Sequence, residues 1–291
     1  MKKSSERMRK AARDFVYANA RQVERARFEV MFDGVSPERC VAALTAYRND
    51  DGGFGHALEP DLRTPASQPL HTEFALLALM TLGVRSPDVA DRCCRFVADV
   101  AAPDGALPAF LPGALDYPAA AHWQAGFGGA PTLDRTLGMV ALLAWHGGRH
   151  AWLDQTIERC TRYLADVQID EAHHLRYAFL FASIVLDEAA RDGALKRLRA
   201  MLDGAGFYVA ETPVERYGVT PLQFVPTPDD PARDVFDDAL LERHLDDLVE
   251  SQLDDGGWPI RFQPPSEGAT IEWRGIWTLD ALATLRAWGR L

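Results

Sequence analysis

Two kinds of helical pattern alternate along the chain. Stretches with one apolar stripe and a charged remainder cover residues 36–48, 88–100, 150–166, 190–202 and 237–252. Between them stand stretches that are apolar nearly all round: 70–82 (LHTEFALLALMTL), 132–145 (TLDRTLGMVALLAW) and 272–288 (EWRGIWTLDALATLRAW). A helix that is apolar on every side is buried on every side. The alternation therefore predicts an all-α fold in which an outer ring of helices surrounds an inner one. Strand signals are nearly absent, with Phe207-Tyr208-Val209 the only kind of short stretch that could pair.

Glycine turns punctuate this alternation: Asp51-Gly52-Gly53-Phe54, Asp104-Gly105-Ala106-Leu107, Gly204-Ala205-Gly206-Phe207 and Asp255-Gly256-Gly257-Trp258. They define a repeat of about fifty residues, with one turn degraded near 154–170. Residues 6–31 read as a further amphipathic helix, its apolar side formed by Met8, Ala12, Phe15 and Val23. The expected architecture is a single domain over 1–291. Residues 1–35 close the ring, and 36–291 supply the repeats, for five to six helix pairs in all.

This pattern resembles the α/α-toroid superfamily of terpenoid cyclases and protein prenyltransferases. Gln252-Leu253-Asp254-Asp255-Gly256-Gly257-Trp258 is similar to the QW repeat of squalene-type cyclases, and Tyr47–Gly55 to a weaker copy. The resemblance covers roughly 36–291 and implies the toroid fold. It implies an acid-initiated reaction on a small, largely apolar and possibly isoprenoid substrate in a central cavity. The functional strings of the family are missing, however. No D-x-D-D occurs, and Asp234-Val235-Phe236-Asp237-Asp238 has one residue too many. Asp237–Glu242 only faintly matches an aspartate-rich magnesium motif. Thr72-Glu73-Phe74 stands, without cysteine, where prenyltransferases carry a zinc-binding D-x-C. Zinc needs several ligands converging on one point, which adjacent His173 and His174 do not offer on a helix. The expectation is no metal and no cofactor.

Chemistry concentrates in the loop 54–71, which holds His56, Glu59, Asp61, Arg63 and His71 between three prolines. In a toroid this loop runs over the ring mouth. The inner helices each carry an acid near their start and little charge afterwards: Glu73, Asp134 and Glu272, expected at equivalent positions, with Arg135 and Arg274 beside two of them. The candidate catalytic groups are Glu59, Asp61, His56 and Glu73. The candidate substrate-binding groups are Arg63, His71, Asp134, Arg135, Trp123, Trp258, Glu272, Trp273, Arg274 and Trp277. Acids also favour helix N-termini for capping alone, and an Arg63 salt bridge to Glu59 or Asp61 would simply pin the loop. A carbohydrate-type lyase, epimerase or hydrolase, or a toroid that only binds a small molecule or partner, fits the same residues.

Composition narrows these options. The 291 residues carry a net charge of −11 and 47 % hydrophobic side chains, the balance of a folded protein. An acidic surface argues against nucleic acid. No stretch reaches the length and apolarity of a membrane span, and no apolar signal core follows MKKSSERMRK. Residues 1–31 nevertheless hold nine basic and four acidic side chains, so weak peripheral membrane contact through this segment is an alternative to docking on the acidic body. Cys40, Cys93, Cys94 and Cys160 form no C-x-x-C and read as reduced, partly buried thiols of a cytoplasmic protein. Oligomeric state is not legible.

Overall fold

The structure is a computed structural model, and it describes residues 5–291. Residues 1–4 of the basic N-terminal stretch lie outside the described residues. Twelve helices appear among the described residues: α1 (Ser5–Asn19), α2 (Gln22–Phe32), α3 (Glu38–Leu44), α4 (Pro69–Met80), α5 (Pro87–Val100), α6 (Ala121–Gln124), α7 (Leu133–His146), α8 (Ala151–Asp166), α9 (Ala172–Val185), α10 (Glu188–Leu202), α11 (Asp238–Glu250) and α12 (Glu267–Ala287). The described residues contain no strand, so the chain is all-helical. Tyr208 forms only an isolated bridge with Val219. No helix of the described residues is long and apolar enough to cross a membrane.

The two helix types are distinct in burial. Helix α5 buries one stripe, Val89, Ala90, Cys93, Cys94, Phe96 and Val97. Helices α4 and α7 bury residues around most of their circumference, including polar Thr72, Glu73, Thr136 and His146. The expected single helix over 6–31 is two helices. Asn19 donates its Nδ2 to the Phe15 carbonyl at 3.0 Å, which ends α1, and Arg21 adopts an extended conformation before α2 begins. Helix α9 is a further buried helix, adding to the three expected. Residues 44–206 form one compact unit; residues 207–291, with the N-terminal segment up to Ala43, form another.

Three of the four glycine turns share one construction. The side chains of Asp51, Asp104 and Asp255 each accept the N–H two residues on, from Gly53, Ala106 and Gly257, at 2.9, 3.1 and 3.1 Å. Gly52, Gly105 and Gly256 have φ of 91°, 83° and 92°, the left-handed region that glycine enters without strain. The next residue, Phe54, Leu107 or Trp258, donates its N–H to a buried threonine of the following buried helix: Thr72 at 3.1 Å, Thr136 at 2.8 Å and Thr278 at 3.0 Å. The turn at 204–207 departs from this plan, with the positive φ falling on Phe207.

The threonine bonds set the register between repeats. Aligned on Thr72, Thr136 and Thr278, the expected equivalence of Glu73, Asp134 and Glu272 does not hold. Glu73 follows its threonine, Asp134 precedes its own by two residues, and Glu272 precedes its own by six. Equivalent instead are His71, Arg135 and Trp277, each one residue before the threonine. Each threonine accepts a buried N–H that water cannot reach, so Thr72→Val or Thr278→Val is expected to cost about 1–3 kcal/mol. Denaturant unfolding checks this; an unchanged midpoint would mean that the turn N–H has another acceptor.

Histidine burial gives the fold a pH dependence. His146 accepts the Ser86 N–H at Nδ1 (3.2 Å) and faces the Leu76 carbonyl with Nε2 (2.9 Å), an arrangement that only the neutral ring satisfies. Burial lowers its pKa and likewise that of His244. The unfolded chain then binds protons that the native state refuses, so stability is complete above the unfolded pKa of about 6.5 and declines as pH falls below it. The melting temperature is expected to drop between pH 7.5 and 5.5, above the range where ordinary carboxylates titrate. His146→Gln is expected to flatten that drop, and an equal drop in the variant would exclude His146 as a source.

Candidate functional site

The polar cluster lies within the 44–206 unit, where the loop leading into α4 meets the first turns of α4, α7 and α9. Loop 54–68 is firmly held. Gly55 approaches the Pro65 carbonyl so closely that a Cβ there would sit 2.2 Å from its oxygen. Asn49 bridges Pro65 and Ser67 through Nδ2, and Ser67 donates to Asp51 at 2.7 Å. His56 and Ala57 both adopt left-handed φ, 56° and 58°, which is uncommon for residues with a side chain. Their N–H groups donate to the Pro65 and Thr64 carbonyls. The strained pair is separated from Glu59 by the single buried residue Leu58.

Glu59, Asp61, His71 and Glu73 are all buried. The Glu59 N–H donates to His71 Nδ1 at 3.0 Å, so His71 is neutral and carries its proton on Nε2. Glu73 pairs with Arg135 across two helices, its carboxylate 2.8 Å from Nη2. The other terminal nitrogen of Arg135 donates to the Tyr177 hydroxyl at 2.7 Å. Burial opposes the charge on Arg135, but Tyr177, Glu73 and Glu59 outweigh it and raise its pKa. Burial likewise raises the pKa of Tyr177. Arg135 pulls it down, while the charge of Glu73 and a hydrogen bond to it push it further up, and the net shift is upward. Tyr177 therefore holds its proton at neutral pH. Helices α4, α7 and α9 thus contribute one member each to a chain Glu73–Arg135–Tyr177.

A second group borders this chain at the start of α9. Glu171 caps the helix by accepting the His173 and His174 N–H groups, both at 3.1 Å, and its carboxylate also pairs with the His173 ring. Burial pushes the Glu171 carboxyl up, but the His173 ring and the two N–H groups outweigh burial and hold it below the usual carboxylate range. Burial lowers the pKa of His122, on α6, and the charge of His173 lowers it further. Among the described residues, no three His, Cys, Asp or Glu side chains converge as a metal site would require.

The other candidates are placed differently. His56 is exposed, with Nε2 2.9 Å from the Asn49 Oδ1, outside the buried cluster. Arg63 is half-buried and reaches the Pro60 carbonyl at 3.5 Å. Asp134 accepts from Tyr163 of α8 at 2.6 Å, which ties α7 to α8. Trp123 is buried beside Phe110. In the other unit, Trp258 is fully buried and donates Nε1 to the Leu248 carbonyl at 2.8 Å, so its nitrogen serves the fold. Arg274 binds Asp255 at 2.7 Å and covers the Phe15 ring, so it braces the turn. Trp273 and Trp277 are half-buried and gather with Tyr217 around Phe262, ring centroids 5.3–6.3 Å from it. Glu272 is half-buried on the same helix.

Two members of these clusters escape a reading of the sequence. Nothing in the sequence sets Tyr177 apart from the other aromatic residues, because its partner Arg135 is 42 residues away. Glu171 stands directly before Ala172-His173-His174, and that acid-then-histidine order was the available signal for a cap. All four cysteines are free and buried; burial pushes the thiol of Cys40 up to about 11 and those of Cys94 and Cys160 up to about 12. No protein-family model matches the chain, and no curated protein matches it in sequence.

Proposed function

We propose that the helix pairs continue around a closed α/α toroid, and that the cluster on α4, α7 and α9 is the acid–base site of an enzyme. Its substrate is a small hydroxylated or carboxylated molecule, and its reaction is of lyase, epimerase or hydrolase type. Support for the ring comes from where each turn rests. A Cβ on Gly52 would meet the Arg92 carbonyl of α5 at 2.7 Å, and one on Gly105 would meet Thr156 of α8 at 3.0 Å. A Cβ on Gly256 would meet the Ala11 carbonyl of α1 at 2.1 Å. Helix α1 thus receives the last turn as α5 and α8 receive the earlier ones. Helix α2 packs on α12 as α4 packs on α7.

The observation that carries the enzymatic reading is the buried Glu73–Arg135–Tyr177 chain. A tyrosine that keeps its proton at neutral pH can deliver it, and Arg135, already bonded to the phenolic oxygen, stabilises the phenolate left behind. The Glu73 carboxylate, held by the same guanidinium, is placed to take a proton in the complementary step. Neutral His71 and buried Glu59 and Asp61 supply a polar wall, which suits a substrate with oxygens to recognise better than a hydrocarbon.

A terpenoid-cyclase-type reaction on an apolar substrate is the second reading. The aromatic group of Tyr217, Phe262, Trp273 and Trp277 favours it, since ring faces stabilise carbocations. The deciding experiment extracts the purified protein and identifies any retained small molecule by mass spectrometry. The protein is then incubated with that molecule, with uronate oligosaccharides and with polyprenyl compounds. Conversion of a hydroxylated or carboxylated compound supports the proposal. Conversion of a polyprenyl compound establishes the second reading, and binding without conversion of any of them makes the chain a binding protein.

A further inference from the structure

We infer that Trp123 is the hydrogen-bond donor of a ligand subsite roofed by the glycine-rich segment 125–130, which takes the part of a ligand that combines an apolar face with an acceptor oxygen. The inference rests on the polar-substrate reading above and names a contact for that substrate. The first observation is the indole N–H itself. Trp123 is 7 % exposed, and its Nε1 is buried without an acceptor. Buried tryptophans ordinarily place this group on a partner, because leaving it unmade is costly. Leu62, Leu70, Phe110 and Ala119, clustered with Trp123, offer no side-chain acceptor, and the His122 ring, with its centroid 4.3 Å away, makes no hydrogen bond with the indole nitrogen. The donor is built into the wall and unanswered by it.

The second observation is the roof. From Trp123 the chain runs through Ala125-Gly126-Phe127-Gly128-Gly129, with Gly126 and Gly128 at φ of 85° and 76°. A Cβ on Gly128 would lie 3.1 Å from the Trp123 ring, and one on Gly129 would lie 3.3 Å from Phe110. Glycine is therefore what lets this backbone lie flat against the two rings. The segment is pinned where it begins, Gly126 N–H to the Trp123 carbonyl at 2.9 Å, and again where Ala109 N–H meets the Gly128 carbonyl at 2.8 Å. Between the pins Phe127 is 53 % exposed, with its ring centroid 6.4 Å from that of Trp123. The same cluster reaches the candidate site, since Leu70 is the second residue of α4, which carries His71 and Glu73. A ligand held there would stack an apolar face on Trp123 and Phe127 and present one oxygen to the indole N–H.

The test is an NMR titration of the seven indole N–H resonances, with that of Trp123 assigned by its loss in Trp123→Phe. Two probes are added separately: a uronate oligosaccharide and farnesol, each an acceptor oxygen on an apolar-faced ring or chain. In the free protein the Trp123 resonance is expected at the upfield, weakly hydrogen-bonded end. One probe is expected to move it downfield, and Phe127→Ala, which removes the exposed half of the stacking surface, is expected to weaken that probe at least tenfold. The inference is overturned if the resonance is already downfield in the free protein. It is also overturned if neither probe moves it, or if Phe127→Ala binds as tightly as the native chain. Should Trp123→Phe fail to fold, a Trp123→His variant supplies the assignment. Because binding rather than turnover is read, the titration is repeated in Tyr177→Phe. A moving resonance with unaltered turnover would refute only the acid role of Tyr177, and a static one beside confirmed turnover would refute only this subsite.

Discussion

Tyr177→Phe is expected to lower turnover by about 10²- to 10⁴-fold while leaving the protein folded, the range over which a positioned general acid acts. The ring stays, so packing within α9 is kept. What goes is one oxygen, together with the bond from Arg135 Nη1 at 2.7 Å. The stability cost is about 1–3 kcal/mol, that of leaving a buried donor unanswered. The control is Tyr163→Phe, which removes an equally short bond, 2.6 Å to Asp134, that joins α7 to α8. A loss of stability without loss of turnover is expected there. The comparison is made on whichever compound the protein converts, with kcat and melting temperature measured for all three proteins. If Tyr177→Phe keeps full turnover, Arg135 and Tyr177 are a structural clamp and the acid must be sought among Glu59, Asp61 and Glu73.

Gly256→Ala is expected to be the most damaging single methyl in the chain, at about 4 kcal/mol. The left-handed conformation, φ 92°, contributes about 1–2 kcal/mol of this. The remainder comes from the Ala11 carbonyl oxygen, 2.1 Å from where the new carbon would stand. That oxygen is backbone inside α1 and has no rotamer by which to yield. Gly34→Ala separates the two contributions: φ is 68°, but no atom lies within 4 Å of the added carbon. It should cost only about 1 kcal/mol, the conformational part alone. Denaturant titration of both variants reads the difference, and equal midpoints would mean that α1 moves away from the turn at no cost.

How far each feature was legible follows from how locally it is encoded. The alternation of striped and wholly apolar helices is written in residues a few positions apart, and so are the Asp-Gly turns that separate them. Both were readable, and loop 54–71 stood out for the density of its chemistry. Helix α9 was harder, because its first turn, Ala172–Leu175, carries two histidines and breaks the apolar signature that α4 and α7 display. The supposed equivalence of three acids failed for a related reason. Register is fixed by the threonine that answers each turn, three residues into α4 and α7 but eleven into α12. Counting from helix starts therefore misaligns the third repeat. The Glu73–Arg135–Tyr177 chain was illegible because nothing in the spacing of Glu73, Arg135 and Tyr177 says which faces of α4, α7 and α9 meet.

The burial of all four cysteines has a practical consequence. With Cys93 resting on the Gly52 carbonyl at 3.7 Å and the other three thiols held far from their reactive form, thiol-directed probes should find nothing to label in the folded chain. The protein carries its own dark background. A single cysteine placed at Phe127, which is 53 % exposed, would then be the one bright site, while slow labelling elsewhere would count unfolding events and nothing else.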